Sequence, residues 1–285
     1  MTIKIRRLSY ALGAEVLGVD PSRAQDPATV AAIRAAWLEH LVLVFPGMDM
    51  TVAQHVEFSR CFGELEAHPV AGLRDEDHPE MFRVTNRITN GKRSETAEAG
   101  RVWHSDGAYT LRPPTGALLH CRARPEVGGD TWFTNMYRAY DALSDTLKGI
   151  VDRLSVVNDL DAIPATKRRD PLMLAQALQE NPPVVQPMVR VHPETGRKAL
   201  YLSEAVTRRI DGMTEEESRG LLQYLYAHSV RPEFTFRHTW RLHDLVIWDN
   251  RCAMHLAPPD FDQTQLREMF RTTLAGEPMG RALAR

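Results

Sequence analysis

The sequence predicts a mainly β chain with helices (α+β), built as a double-sheet jelly roll with helical decorations. Three observations point there. From about residue 81 onward short strand-like runs recur, among them MFRVTN, TGALLHCRA, DTWFTN and MFRTTLAG. Apolar residues at helical spacing are confined to a few stretches between those runs. The mixed pattern of helices and strands carries no internal repeat.

Taken in order, IKIRRL and GAEVLGVD read as a short strand pair. PATVAAIRAAWLEH follows as a helix, and LVLVFPG as a buried strand ended by Pro46 and Gly47. TVAQHVEFSRCFGE is a second helix, with Thr51 as its cap and Gly63 as its stop. VWHSDGAYT, residues Val102 to Thr110, reads as extended. MYRAYDALSDTLKGIV and TEEESRGLLQYLYAHS are the helices that interrupt the later strands. VRVHPETGRKALYL alternates on both sides of a Pro and Gly turn, the mark of a hairpin. FTFRHTWRLHDLVIWD supplies further strand. The polar, proline-bearing stretch near 158–183 reads as a mobile lid rather than a linker. A single domain over residues 1–285 is expected.

Bulk properties exclude several classes of function. A chain of 285 residues with 43% hydrophobic and 25% charged residues is ordinary for a globular protein with a sizeable core. The formal net charge of −2 gives no reason to expect nucleic acid or an anionic membrane as partner. No apolar run is long enough to span a bilayer, and the N-terminus lacks the apolar block of a secretory signal. Cys61, Cys121 and Cys252 are too scattered for a disulfide framework or a thiolate zinc site. A reducing, cytoplasmic setting is the expectation.

The chemistry begins with His104 and Asp106. Side chains two apart on an extended segment share a face, so both can converge on one atom. A metal ion would satisfy them, as would solvent or a buried hydrogen-bonded pair. A third ligand is available in His255 of WDNRCAMH, just after the apolar strand LVIWD. Two histidines and one carboxylate form the facial set of non-haem Fe(II) oxygenases, with positions open for cosubstrate and O₂. In REMFRTTLAG, Arg267 and Arg271 are four apart, an even spacing that puts both guanidiniums on one strand face. Arginine suits bidentate capture of a carboxylate, although both could equally be surface residues paired with Glu268 or Asp262. Thr131 of GGDTWFTN could donate its hydroxyl to the same carboxylate.

WHSD, GGDTWF, WDNRCAMH and REMFRTTLAG, in this order and at these spacings, resemble the taurine dioxygenase (TauD/TfdA) family of Fe(II)- and 2-oxoglutarate-dependent dioxygenases. The likeness runs over nearly the whole chain. It implies the double-stranded β-helix form of the jelly roll, with His104, Asp106 and His255 ligating Fe(II). It further implies that Thr131 and Arg267 hold the distal carboxylate of 2-oxoglutarate. Arg271 would reach the primary substrate or the cosubstrate, and His68 and Tyr109 would contact the substrate. The implied reaction oxidises a carbon of a small anionic substrate with O₂, releasing succinate and CO₂. Candidate substrates are sulfonates, sulfate esters, aryloxyalkanoates and other carboxylates. A homo-oligomer, dimer or tetramer, is the expected assembly.

Two departures bear on the substrate. Gly100 stands where taurine enzymes carry a short polar residue, and Tyr109 where the family usually has Phe. Two other classes fit parts of the pattern. A zinc-dependent hydrolase of anionic esters would need a general base near the metal-bound water, and the sequence offers no evident one. A non-catalytic small-molecule-binding jelly roll would not need three open metal positions.

Overall fold

A computed structural model describes residues 3–20, 23–67, 74–163 and 171–284. The chain opens with strands β1 (Lys4–Arg7) and β2 (Ala14–Leu17), helix α1 (Pro27–His40) and strand β3 (Val42–Phe45). Asp26 starts α1 by accepting from the amides of Ala28 and Thr29. Helix α2 (Val52–Arg60) begins in a capping box between Thr51 and Gln54, as the expected Thr51 cap requires. Strands β4 (Leu65–Glu66) and β5 (Phe82–Thr85) follow, then the hairpin β6 (Ile88–Thr89) and β7 (Lys92–Arg93). β8 (Gly116–Ala123) and β9 (Thr131–Asn135) come next.

The stretch expected as one helix from Met136 is two: α3 (Met136–Asp141) and α4 (Asp145–Val151). Ser144 accepts from the amide of Leu147, so the chain stops and restarts at a new cap. β10 (Ser155–Asn158), α5 (Pro171–Glu180), β11 (Val184–Pro187), β12 (Val189–Val191), β13 (Lys198–Leu200) and β14 (Thr207–Ile210) lead to α6 (Glu215–Ser229). β15 (Thr235–His238), β16 (Leu245–Asp249), β17 (Ala253–Leu256), β18 (Glu268–Leu274) and β19 (Arg281–Ala282) complete the chain. The run FTFRHTWRLHDLVIWD thus divides between two sheets, broken at His243, whose φ of 64° lies in the left-handed region.

The principal sheet has the order β1-β2-β3-β16-β8-β18-β4, with β5 also on β18; among the described residues only β2 and β3 run parallel. Smaller sheets are β15-β9-β17 and β14-β10-β11-β19. Alternation along the central strands separates two cores. Leu118, Ile247, Phe45 and Leu274 face outward against Ile33 and Trp37 of α1 and Phe58 of α2. Ala117, Leu119, Val246, Trp248 and Met269 face inward and pack with Phe133 of β9 and Met254 of β17. The inward face of the large sheet and the three-stranded sheet therefore enclose one apolar layer, and the candidate side chains lie at its edge.

The expected lid is only partly within view. Its residues 164–170 lie outside the described residues. The excursion also starts later than expected, because Asn158 ends β10 fully buried, donating to the Ala108 carbonyl at 2.9 Å.

Candidate active site

His104 and His255 are brought together by backbone, not by a strand of any length. They form an isolated antiparallel bridge in which each amide donates to the other's carbonyl, at 3.1 and 2.8 Å. Such a mutually bonded pair sets the side chains side by side, and the two imidazole centroids are 4.1 Å apart. Val102 to Thr110 is accordingly not the extended run expected from sequence: the chain turns at Asp106, which sends its carboxylate back toward both rings. Asp106 Oδ1 lies 3.8 Å from His104 Nε2 and 3.7 Å from His255 Nε2. These three side chains form one of two groups among the described residues with donor atoms close enough to share an ion.

Electrostatics and tautomers fit a divalent ion. His104 Nδ1 lies 2.8 Å from the Val102 carbonyl, which places its proton there and leaves the Nε2 lone pair facing Asp106. Burial lowers the pKa of His104, and lowers that of His255 further with help from the neighbouring His104, so both rings are neutral. Burial opposes ionisation of Asp106, but Arg271, His255 and His104 outweigh it and hold the carboxyl well below the usual range. Two neutral imidazoles and one ionised carboxylate, spread over one side, match the donor set of a facial Fe(II) site.

The other carboxylate oxygen is tied down. Asp106 Oδ2 accepts from Arg271 Nη2 at 2.7 Å and from Trp248 Nε1 at 3.2 Å, leaving Oδ1 to face the imidazoles. Asn250 anchors the same turn: its Oδ1 accepts from the Asp106 amide at 3.3 Å, and its carbonyl accepts from Ser105 Oγ at 2.6 Å. These partners were missed in the sequence. The only trace was the position of Trp248 and Asn250 in WDN, where strand alternation turns Trp248 to the same side as Val246.

Arg271 requires a correction. It was expected to reach the primary substrate or the cosubstrate, whereas its Nη2 is already paired with Asp106. What Arg271 retains is a buried Nε without a hydrogen-bond acceptor. Neither surface alternative holds, because Glu268 is engaged by Arg87 and Asp262 caps Thr264.

Arg267 is a buried cation with no ion-pair partner among the described residues. It is 8% exposed, and Nε donates to the Gly129 carbonyl at 2.8 Å. Burial pushes its pKa down to about 10, the behaviour of a charge that lacks a counter-ion. Gly128 and Gly129 both have positive φ, at 77° and 70°, and a Cβ on Gly129 would meet Pro125 at 2.8 Å. The GG turn therefore presents its carbonyl to Arg267 where other residues would clash. Thr131 begins β9 two residues later, fully enclosed, and accepts from Trp240 Nε1 at 3.0 Å.

Tyr109 sits on the Asp106 turn, half-buried against Ala108, Tyr201 and Val206. His68 lies outside the described residues. At Gly100 a Cβ would come within 3.3 Å of His104 Cε1, so the missing polar side chain leaves that side of the imidazole uncovered.

The second group, His192, Asp249 and Cys252, is a structural network. His192 Nδ1 accepts from the amides of Glu194 and Thr195, so its Nε2 carries the proton and donates to Asp249 at 3.1 Å. Arg251 grips both Asp249 oxygens. The ring nitrogens of His192 and the oxygens of Asp249 are thus already engaged. His228 is engaged with the Ala139 carbonyl at 2.8 Å, and His238 stands 3.3 Å from Asp244.

Two histidines and one carboxylate within reach of a shared ion, and a buried arginine lacking a counter-ion, are the parts that a non-haem oxygenase with an acidic cosubstrate would need. The chain belongs to the taurine catabolism dioxygenase TauD, TfdA family, whose profile matches residues 4–273. It is 34% identical to a (S)-phenoxypropionate/alpha-ketoglutarate-dioxygenase of Sphingobium herbicidovorans, over 96% of this chain and 95% of that one. It is 33% identical to an alpha-ketoglutarate-dependent sulfate ester dioxygenase of Pseudomonas putida, over 98% and 92%. Among solved structures, AAD-2 in complex with Mn(II) and N-oxalylglycine superposes with a TM-score of 0.82 at 34% identity, covering 98% of this chain and 100% of that one. The protein is an Fe(II)- and 2-oxoglutarate-dependent dioxygenase, an oxidoreductase.

Proposed function

We propose that this enzyme oxidises a carbon of a small organic anion, with His104, Asp106 and His255 holding the iron and Thr131 and Arg267 holding the distal carboxylate of 2-oxoglutarate. When bound, iron and 2-oxoglutarate together supply the oxidising power of O₂, with release of succinate and CO₂. The chain's own residues do the rest. Asp106 offers Oδ1 to the metal because Arg271 and Trp248 occupy Oδ2. His104 offers Nε2 because the Val102 carbonyl holds the ring's one proton at Nδ1. Arg267 gains the counter-ion its burial calls for.

The observation that carries the substrate class is Arg271, beside the metal set with a buried Nε still unsatisfied. A substrate sulfonate, sulfate or carboxylate would take that donor, with Tyr109 and the apolar group around Tyr201 lining the remainder of the pocket. His68 is assigned to the same anion from its place in EAHPV. Relatives that act on phenoxypropionate and on sulfate esters support an anionic substrate with a variable body. The two packed sheets are read as the double-stranded β-helix, in one domain with a lid near 158–183, in a cytoplasmic homo-oligomer.

The test is succinate release across small sulfonates, sulfate esters, aryloxyalkanoates and other carboxylates, each paired with a neutral amide or alcohol of the same shape. Turnover confined to the acids is the expected result. Equal turnover of acids and neutral analogues would refute the anion pocket.

A further inference from the structure

Thr131 has its hydroxyl set by a neighbour that nothing in the reaction itself requires. Trp240 is 2% exposed and donates from Nε1 to Thr131 Oγ1 at 3.0 Å. An indole N–H can only donate, so the threonine oxygen must be the acceptor in this bond. The single hydroxyl proton is then directed away from the indole, and among the described residues it finds no acceptor. The indole is itself fixed, lying edge-on to His238 with centroids 4.6 Å apart at 82°, while His238 stands 3.3 Å from Asp244. Arg267 is fastened to the Gly129 carbonyl two residues before Thr131. A buried cation and a hydroxyl with an outward proton are the two donors that one carboxylate would accept together.

We infer that Trp240 is a positioning residue for the distal carboxylate of 2-oxoglutarate, acting through the Thr131 hydroxyl. The inference rests on the assignment of Thr131 and Arg267 to that carboxylate. By occupying one lone pair, Trp240 makes Thr131 a donor before the cosubstrate arrives. Without the indole N–H the hydroxyl can turn its proton elsewhere, and part of its bond to the carboxylate is lost to that freedom. Trp240→Phe removes the N–H and keeps most of the ring.

The experiment is equilibrium binding to the Mn(II)-loaded enzyme, without turnover, of 2-oxoglutarate and of 2-oxovalerate, which lacks the distal carboxylate. Wild type, Trp240→Phe, Thr131→Val and the double variant are compared. Trp240→Phe should weaken 2-oxoglutarate roughly 3- to 10-fold, the size of one ordinary hydrogen bond. It should leave 2-oxovalerate unchanged and add nothing in the Thr131→Val background. Thr131→Ser keeps the hydroxyl and should keep the sensitivity to Trp240→Phe. If Thr131→Val binds 2-oxoglutarate like wild type, the assignment of Thr131 fails and the inference falls with it. If Thr131→Val weakens binding but Trp240→Phe does not, or weakens both ligands alike, or adds fully to Thr131→Val, only the role of Trp240 is overturned. Should Trp240→Phe not fold, 3-benzothienylalanine at position 240 keeps the shape without the N–H and reads the same outcomes.

Discussion

Replacing Arg267 by methionine removes the charge and keeps most of the buried stem. In the cosubstrate-free enzyme this guanidinium is held by one bond to the Gly129 carbonyl, and burial has moved its pKa from 12.5 to about 10. At about 1.4 kcal/mol per unit, burying this charge without a counter-ion costs on the order of 3 kcal/mol. A carboxylate docking on Arg267 recovers much of that, within the 2–5 kcal/mol typical of a buried charge pair that loses one member. Arg267→Met should thus weaken 2-oxoglutarate by about 30-fold or more. The metal-loaded but cosubstrate-free protein should lose little stability, because the deleted charge was itself a cost. Calorimetric titration of 2-oxoglutarate into the Mn(II) form, with urea unfolding of the free enzyme, measures both quantities. Unchanged affinity would refute the assignment, and a collapse in stability would show that Arg267 is a structural residue.

Four further outcomes follow from other contacts. Thr131→Val should weaken 2-oxoglutarate by less than Arg267→Met, on the order of 1.5–3 kcal/mol for a bond to a charged group, as read in the same titration. Trp248→Phe deletes a donor to Asp106 Oδ2; Fe(II) affinity should fall about 10-fold or more, as for other groups that orient a metal ligand, measured by anaerobic metal titration. Arg271→Ala frees Asp106 Oδ2 and should weaken Fe(II) as well; at saturating Fe(II) it should raise the KM of the best anionic substrate far more than that of 2-oxoglutarate, and equal rises in both would contradict the anion role. His55 and His120 are fully buried between α2 and β8, beside Arg122, with His243 and Asp49 at the far end. Burial pushes His120 down to about 4, so the unfolded chain, with an ordinary value near 6.5, takes up the proton first as pH falls. Stability present above about pH 6.5 should be lost on descending to about pH 4, by roughly 3 kcal/mol for His120, and urea midpoints that ignore pH across that window would contradict this.

Elements with strong local signals were legible in the sequence. α1 was bounded at Pro27 and His40, and Thr51 as a cap marked the start of α2. Pro46 and Gly47 ended β3. Less legible were breaks that depend on a single cap or backbone conformation, such as Ser144 between α3 and α4, or the left-handed His243 that splits one apparent run into strands of two sheets. For the site, residue types and their order along the chain were enough to name the three metal candidates. The local conformation was misread: His104 and Asp106 converge through a turn, with His255 bonded to His104 by backbone. Arg267 and Arg271 occupy different environments despite their even spacing, because a register shift between Glu268 and Met269 interrupts the alternation of β18. Contacts made only in three dimensions, such as Trp240 on Thr131 and Trp248 on Asp106, leave almost no trace in one chain. Trp residues in apolar runs read as core, and these two are core in every respect but their N–H.

The central claim is that His104, Asp106 and His255 together hold the iron on which 2-oxoglutarate is bound. Anaerobic titration of Fe(II) and then 2-oxoglutarate, followed by visible absorption, tests it most directly in wild type and His255→Ala. The account predicts a weak charge-transfer band that saturates at one iron per chain in wild type and is absent in the variant, whose far-ultraviolet dichroism is unchanged. A band of full strength in His255→Ala, with stoichiometric iron and near-normal turnover, would contradict it.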